Sequence, residues 1–255
     1  MAPEPSAELG VFGGSGFYAF LDDVEEVTLD TPYGPPSAPV TIGEVSGRRV
    51  AFLPRHGRRH ELPAHRVNYR ANVWAFSQLG VHSVIGPCAA GSLQPGVAPG
   101  DFVVCDQLVD RTWGRPGTFY DGPDVKHISF ADPYDEGLRA VLVGCARRLG
   151  LTVHSDGTVV VVQGPRFSTR AESRWYARQG WEVVNMTQHP EAALCRELDL
   201  RYATVALVTD YDAGVGADAG VAPVTQAQVF GFFQENLARV RELLFAALSE
   251  VAPAG

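Results

Sequence analysis

ATVALV (residues 203–208) is an apolar run that leads directly into TDYDAG (residues 209–214). An apolar segment of this length, rich in Val and Leu and followed by turn residues, predicts a strand that is buried on both faces. Open α/β sheets bind their ligands beyond the carboxyl ends of such strands. The strand is followed by Asp210 and Asp212, and an extended backbone directs both carboxylates to the same side.

This pair of carboxylates is suited to a flat ligand with two adjacent hydrogen-bond donors, such as the N7–H and 6-amino edge of a protonated adenine. The alternative is that Asp210 and Asp212 are solvated turn residues, because Asp and Gly are common in turns.

The composition indicates a globular protein, since 45% of the 255 residues are hydrophobic and 20% are charged. No linker, repeat or charge block divides the chain, so we expect one domain over residues 1–255, with frayed ends at 1–7 and 252–255. The formal charge of −8 argues against a nucleic-acid partner, which requires a basic surface.

The cysteines and the apolar segments indicate a cytoplasmic protein. No leader peptide is recognisable at the N-terminus, and no apolar stretch approaches the roughly 20 residues of a membrane span. The cysteines have no C-x-x-C spacing, which is typical of reduced thiols rather than of a disulfide framework or zinc site. They are Cys88, Cys105, Cys145 and Cys195.

Strand-like and helical segments alternate along the chain, which predicts the α/β class. The predicted strands are 9–12, 49–53, 83–85, 102–104, 157–162, 183–184 and 203–208, with a strand-like alternation at 22–29. The predicted helices are 68–79, 136–149, 168–179, 190–198 and 225–251, the last with Thr225 as its N-cap. Gly-rich or polar turns follow several strands, so we expect these turns to converge on one crevice.

The first such turn, GGSG at residues 13–16, has the flexibility to bring backbone amides close to an anion, and Ser15 adds a hydroxyl donor. A plain tight turn is the alternative. The segment also contains G-x-G-x-x-A, as found in dinucleotide folds, but the strand-like residues 22–29 follow where that fold requires a helix.

A basic cluster, RHGRRH at residues 55–60, stands out in an acidic protein. Arg is suited to bidentate recognition of oxyanions, and the cluster follows a predicted strand. A metal site is disfavoured because the arginines repel a cation, and a solvated basic turn is the alternative. Farther along, QGPRFS at residues 163–168 ends a predicted strand and begins a predicted helix. The ring of Phe167 is suited to stacking on a planar base, and the alternative is a core position, which is more common for a lone aromatic. His127 lies in a loop with no local indication of its role.

Taken together in this order, these segments resemble the 5′-methylthioadenosine phosphorylases of the trimeric purine nucleoside phosphorylase family. The matching stretches, which span residues 9–245, include GGSG (13–16), RHGR (55–58), VNYRAN (67–72), AGSL (90–93), DRT (110–112), FYDG (119–122), GPRFS (164–168), NMT (185–187), PE (190–191) and TDYD (209–212). The resemblance implies a single domain with a central mixed, partly barrel-like β-sheet flanked by helices. It also implies reversible phosphorolysis of a purine nucleoside, with inorganic phosphate as co-substrate and with neither metal nor organic cofactor.

The resemblance further implies a role for each site residue. Phosphate is expected to bind Ser15, Arg55, His56, Cys88, Ala89 and Thr187. The nucleoside is expected to contact Phe167, Ser168, Met186, Asp210, Asp212, Gln226, Val229 and Phe230, and His127 from a neighbouring subunit of a homotrimer. Asp210, Arg55 and His56 are the expected catalytic residues.

Several positions bear on the substrate. Asp210 and Ser168 stand where 6-oxopurine members of the superfamily are expected to carry Asn and Glu, so adenine is the predicted base. Cys88 replaces the usual hydroxyl or amide beside phosphate. Gln226 and the large Phe230 replace small aliphatic residues, which predicts a 5′ group that is smaller or more polar than methylthio, unless Gln226 points away.

Other activities are compatible with parts of the pattern. A hydrolytic nucleosidase is disfavoured by the expected phosphate ligands, and a 6-oxopurine phosphorylase by Asp210 and Ser168. A catalytically silent nucleoside-binding protein on the same fold is motivated only by Cys88.

Overall fold

One mixed sheet runs through the part of the chain that the computed structural model describes, residues 6–13, 24–213, 215 and 224–253. Its eleven described strands are β1 (Leu9–Gly13), β2 (Glu25–Val27), β3 (Val40–Val45), β4 (Arg48–Pro54), β5 (Ser83–Ser92), β6 (Phe102–Val103), β7 (Gln107–Arg111), β8 (Val153–His154), β9 (Thr158–Val162), β10 (Val183–Asn185) and β11 (Arg201–Tyr211). The α-helices are α1 (Tyr69–Gln78), α2 (Glu136–Arg148), α3 (Arg170–Arg178), α4 (Gln188–Glu197), α5 (Gln226–Glu235) and α6 (Leu237–Glu250).

Strand β5 lies at the centre of the sheet. One path of pairing runs β2-β3-β4-β1-β5-β10-β9-β7, while β11 pairs with β5 and β6, and β6 with β8. Along one edge of β5, pairing with β1 ends at Ile85, and pairing with β10 begins at Gly91. Between these contacts, residues 86–90 pair on that edge with no strand of the described chain, which leaves an open edge, and residues 87–90 of this edge line a cavity.

The long apolar strand is buried because helices cover both faces of the sheet. Val205 and Leu207 pack into an apolar layer with α2 and α6, and Ala206 packs with α1 and α4 in a second layer. Residues 202–209 are buried throughout, so the strand predicted for residues 203–208 is confirmed. The α/β class with a central mixed sheet is also confirmed.

Residues 88–92 are a Gly-rich segment for which the sequence predicts a turn after the strand 83–85, and this is wrong because they continue β5. Strand β11 continues through Asp210 to Tyr211, so the backbone at Asp210 is extended and the alternative of a turn there is wrong. The two strands pair in parallel along almost their whole length, with one register shift between Val208 and Asp210. Backbone pairing over this length outweighs the turn preference of Ala-Gly-Ser and Thr-Asp, because strand preference depends on tertiary context.

The predicted helix 225–251 is two helices. Thr225 caps α5 as predicted, but Asn236 interrupts the run, and its side-chain amide donates to the carbonyl of Phe232 at 2.9 Å. The α5 helix has no fully buried residue, whereas α6 buries Val240, Leu244 and other apolar side chains in the core. The predicted boundaries of the remaining helices are off by one or two residues, and β3, β7 and β8 are strands without a sequence prediction.

No described helix is long and apolar enough to cross a bilayer.

Candidate active site

A cavity of about 620 Å³ opens at the carboxyl ends of β4, β9, β10 and β11 and beside the open edge of β5. The α5 helix lines the cavity with Gln226, Val229, Phe230, Phe233 and Gln234, and Leu237 at the start of α6 lines it as well. The structure therefore brings the polar strand ends into one crevice. The predicted site residues that line it are Arg55, His56, Cys88, Ala89, Phe167, Ser168, Met186, Thr187, Asp210, Asp212, Gln226, Val229 and Phe230.

Two predicted site residues are not in this group. Ser15 lies outside the described residues. His127 is exposed on the loop between β7 and α2 and does not line the cavity of its own chain. Within the basic cluster, Arg55, His56 and His60 face the cavity, whereas Arg58 is bound to Glu26 at the surface.

Arg55 is buried at one end of the cavity and is paired with Glu191. Its Nε and Nη2 atoms donate to the two carboxylate oxygens of Glu191 at 2.6 and 2.8 Å, and its Nη1 donates to the carbonyl of Pro87 at 3.2 Å. Tyr202 donates its hydroxyl to Glu191 at 2.7 Å. Burial lowers the pKa of Arg55, but the Glu191 carboxylate outweighs it, and the pKa lies above its ordinary value. Two of the five guanidinium hydrogens remain for a ligand.

Cys88 and Thr187 lie beside this arginine. The thiol of Cys88 is 3.3 Å from the amide nitrogen of Asn185 and 3.5 Å from that of Gln188. Burial raises the pKa of Cys88, so the thiol is protonated at neutral pH. Thr187 precedes α4, and its hydroxyl makes no capping bond to that helix. The open edge of β5, the Thr187 hydroxyl and the remaining Arg55 hydrogens together form a set of donors suited to an oxyanion.

His56 is fixed by a reciprocal pair of hydrogen bonds to Leu62. Its Nδ1 is 2.8 Å from the carbonyl oxygen of Leu62, and the amide of Leu62 donates to the carbonyl of His56 at 3.0 Å. Burial, reinforced by Arg55 and His60, lowers the pKa of His56 to about 3. The imidazole is therefore neutral at physiological pH.

The two aspartates lie at the opposite end of the cavity. Burial raises the pKa of Asp210 to about 6. The hydrogen bond from the Thr209 hydroxyl at 2.7 Å opposes this rise, and the neighbouring Asp212 adds to it. Burial also raises the pKa of Asp212, although the hydroxyls of Ser173 and Ser168 oppose it. The buried Oδ2 of Asp212 meets no donor among the residues that the structure describes. This end of the cavity offers one carboxyl that can carry a proton and one unpaired acceptor.

Gly91 makes room for both carboxylates. It is paired with Asp210 across β5 and β11, and a Cβ at this position would lie 3.1 Å from Oδ2 of Asp210 and 3.5 Å from Cβ of Asp212. The open end of the cavity, by contrast, is lined by α5, where the ring of Phe230 meets that of His60 edge-on at 4.7 Å. Gln226 is one of the residues that line the cavity, and it is exposed to solvent.

Several residues of the site carry no local sequence signal. Glu191 pairs with Arg55, Gln188 contacts the thiol of Cys88, and Tyr202 donates to Glu191, and all three contacts are buried. In the sequence, Glu191 belongs to the PE stretch and Gln188 directly follows the NMT stretch. No cluster of three or more His, Cys, Asp or Glu side chains suited to a metal ion occurs in the described ranges.

The raised pKa of Asp210 has a consequence for stability. In the unfolded chain the carboxyl has an ordinary pKa of 3.8, so the folded state holds the proton more tightly and loses stability as the pH rises from 3.8 to about 6. The Asp210→Asn variant avoids this loss. We expect it to be more stable than the parent by up to about 3 kcal/mol at pH 8, but not at pH 4, since one pKa unit is worth about 1.4 kcal/mol.

Urea denaturation at the two pH values measures this difference. Asp124→Asn, a change at an exposed position, is the matched control and should show no pH-dependent gain. A stability gain of Asp210→Asn that is equal at pH 4 and pH 8 would contradict the assignment of a raised pKa.

Comparisons with known proteins agree on one family. The model of the phosphorylase superfamily matches residues 8–252. The S-methyl-5′-thioadenosine phosphorylase of Mycobacterium tuberculosis is 56% identical over 245 residues, which cover 96% of this chain and 89% of the relative. The purine nucleoside phosphorylase of Streptomyces coelicolor is 53% identical over 263 residues, which cover 100% of this chain and 93% of the relative.

A solved structure gives the same result. It is a variant of the adenosine/methylthioadenosine phosphorylase of Schistosoma mansoni in complex with methylthioadenosine, with a TM-score of 0.89, 38% identity, and coverage of 96% of this chain and 91% of that one. The cavity, the match over nearly the whole chain and the shared fold lead to one conclusion: this chain belongs to the phosphorylase superfamily.

Proposed function

We propose that this protein catalyses the phosphorolysis of 5′-methylthioadenosine, or of a related 5′-modified adenosine, to adenine and the 5-substituted ribose 1-phosphate. The observation that carries the proposal is the pair of carboxyls at one end of the cavity, with a raised pKa at Asp210 and an unpaired acceptor at Asp212. The relatives named as methylthioadenosine phosphorylases and the solved complex with methylthioadenosine support it.

The proposed reaction follows from the two ends of the cavity. An oxygen of phosphate, held near Arg55, His56 and Thr187, attacks C1′ as the bond from C1′ to N9 of the purine breaks through an oxocarbenium-like state. The departing purine gains electron density at N7, and the protonated Asp210 transfers its proton there, which is the role of a general acid with a pKa near neutral. Inorganic phosphate is the co-substrate, and the reaction calls for neither metal nor organic cofactor.

Base selectivity follows from Asp212. An ionised Asp212 accepts a hydrogen bond from the 6-amino group of adenine but faces the oxygen of hypoxanthine or guanine. Two acceptors that face each other cost several kcal/mol when buried. The alternative is a 6-oxopurine phosphorylase, and one relative is named purine nucleoside phosphorylase, a name that leaves the purine unspecified.

The test is purine release from 5′-methylthioadenosine, adenosine, 5′-deoxyadenosine and inosine, each with and without phosphate. Adenine release that requires phosphate, with inosine inert, is the expected result. Release without phosphate would identify a nucleosidase, and preferential release from inosine a 6-oxopurine phosphorylase. Binding of nucleoside without turnover would identify a silent binding protein.

Gln226 gives a prediction for the 5′ group. Gln226 and Phe230 both line the cavity, and an amide and an aromatic ring at these positions would make the pocket more polar and narrower than two aliphatic side chains would. We expect the parent enzyme to prefer a 5′-deoxy, 5′-halo or 5′-hydroxy substrate over the methylthio compound. The Gln226→Leu variant should shift the ratio of kcat/KM towards 5′-methylthioadenosine by about tenfold, because a pocket discriminates one apolar group by about that factor.

Steady-state kinetics with both nucleosides measures this ratio. Gln179→Leu, at the exposed end of α3, is the matched control and should leave the ratio unchanged. Turnover of the methylthio compound by the parent that equals or exceeds that of the polar analogues would count against the prediction.

We propose further that the protein is a cytoplasmic homotrimer of purine salvage, with His127 reaching the site of a neighbouring subunit. Support comes from the loop that carries His127, because it also exposes the large apolar side chains of Trp113 and Val125. Contiguous apolar patches are typical of contact surfaces, and these two side chains would contribute to one if the subunits meet at this loop. Sedimentation equilibrium tests the trimer, and a monomer with full activity would contradict it.

A further inference from the structure

The ring of His56 presents an acceptor, not a donor, to the cavity. A carbonyl oxygen only accepts hydrogen bonds, so the contact of 2.8 Å between Nδ1 and the carbonyl of Leu62 places the ring hydrogen on Nδ1. The neighbouring Arg55 and the stacked ring of His60, whose centroid is 4.3 Å away, both disfavour a second proton on the ring. Nε2 therefore carries a lone pair and no hydrogen.

The environment of Nε2 leaves this lone pair for a ligand. His56 lines the cavity together with Arg55, Cys88 and Thr187. In the described part of the chain, no protein group is hydrogen-bonded to Nε2, and Nε2 is not among the buried atoms that lack a partner. An oxyanion that binds between these four residues therefore meets Nε2 of His56, an atom that can accept a hydrogen bond but cannot donate one.

Among the residues that the structure describes, this end of the cavity has no excess positive charge that would offset the repulsion between the Nε2 lone pair of His56 and an oxyanion. The guanidinium of Arg55 is neutralised by its two hydrogen bonds to Glu191, and the thiol of Cys88 is protonated. The nearby carboxylate of Glu61 accepts from the amide of Arg59 at 2.8 Å. Recognition of an anion therefore depends on matching donors with acceptors rather than on excess positive charge.

We infer that His56 accepts a hydrogen bond from the acidic hydrogen of the bound oxyanion, so that this pocket selects hydrogen phosphate over tetrahedral dianions that carry no hydrogen, such as sulfate. The inference rests on the proposed function in one respect, which is that phosphate binds at this end of the cavity. Hydrogen phosphate and sulfate have the same shape and charge near pH 8. They differ in the one O–H group that can satisfy Nε2.

The selection also orients the attacking phosphate. The O–H group points to His56 and keeps its hydrogen through the step, while an ionised oxygen forms the bond to C1′. The bond from C1′ to N9 breaks, its electron pair leaves with the purine, and the purine receives its proton from Asp210. The sugar phosphate formed is a monoanion that loses its remaining hydrogen to solvent after release.

The experiment compares three anions on the whole protein by titration calorimetry at pH 8 and constant ionic strength. They are phosphate, sulfate and fluorophosphate, a phosphate-shaped dianion without an acidic hydrogen. We expect sulfate and fluorophosphate to bind about tenfold to a hundredfold more weakly than phosphate, the effect of leaving a buried acceptor opposite another acceptor. A Kd for sulfate or fluorophosphate within about twofold of the Kd for phosphate overturns the inference.

A variant gives an independent readout. The amide of His56→Gln can donate as well as accept, so we expect the preference for phosphate over sulfate to fall to less than about threefold. His82→Gln, a histidine at the other end of β5 that bonds to Ser83, is the matched control and should keep the parent ratio. An unchanged ratio in a folded His56→Gln protein overturns the inference, and the parent affinities decide it if that variant does not fold.

The purine-release assay separates this inference from the proposed function. Adenine release that depends on phosphate, together with equal affinities for the three anions, overturns the anion selection and leaves the function standing. Absence of release defeats the function, whereas the calorimetric ratio still decides whether the pocket selects an anion with a hydrogen.

Discussion

The Asp210→Asn variant is expected to lose about 10²- to 10⁴-fold in kcat for 5′-methylthioadenosine, the usual contribution of a positioned general acid. The amide has nearly the shape of the carboxyl, but it has no acidic proton to transfer to N7 as the purine departs. The same variant should show a relative gain with inosine, because its amide can donate to the 6-oxopurine. Steady-state kinetics with both nucleosides at saturating phosphate measures the two effects.

Two outcomes would contradict this reading of the aspartates. One is an unchanged preference for adenine over 6-oxopurine nucleosides in Asp210→Asn. The other is an equal loss of activity in the exposed control Asp124→Asn. Because Asp210→Asn is also expected to be more stable than the parent at pH 8, a loss of activity together with a gain in stability would exclude unfolding as the cause.

The Glu191→Ala variant is expected to lose about 3 to 5 kcal/mol of unfolding free energy. Removing this carboxylate leaves the guanidinium of Arg55 charged and buried without its partner, which is one of the costlier changes in a protein interior. The hydroxyl of Tyr202 loses its acceptor at the same time. Urea denaturation at neutral pH measures the loss as a shift in midpoint with an unchanged slope.

The matched control is Glu26→Ala, which removes the carboxylate from an arginine pair whose side chains are about half exposed. An exposed pair contributes about 0 to 1 kcal/mol, so the loss of unfolding free energy should be several times larger in Glu191→Ala than in Glu26→Ala. Equal losses of unfolding free energy in the two variants would contradict the stabilising role of the buried pair between Arg55 and Glu191. If Glu191→Ala does not fold, Tyr202→Phe, which removes one donor to the same carboxylate, should cost about 1 kcal/mol.

Local patterns predicted the elements that depend on local forces. The apolar run at 203–208 and the capping residue Thr225 were both recognisable, because burial on two faces and helix capping leave direct marks on the sequence. The continuation of β5 through residues 88–92 was not recognisable. There, a Gly-rich stretch that prefers turns is held extended by pairing with β11, more than a hundred residues later in the chain.

The residues of the site also fall into those that local patterns predict and those that they do not. Arg55, Asp210 and Asp212 could be predicted because they lie at or just after the carboxyl ends of apolar strands, and parallel strands bring these ends together. Glu191 and Tyr202 could not, since a glutamate in a helix and a tyrosine in a strand have no distinctive pattern. Their role arises because Glu191 pairs with Arg55, 136 residues earlier in the chain, and Tyr202 donates to Glu191.

By itself, the sequence determined the α/β class, the positions of most strands and helices, and the chemical groups available for an anion and a planar base. Only the tertiary structure decided the state of those groups. The raised pKa of Asp210, the neutral ring of His56 with its hydrogen on Nδ1, and the neutralised charge of Arg55 all follow from burial and from partners on other segments. Protonation and charge depend on the dielectric and the hydrogen bonds around a group, and these exist only after distant segments have packed together.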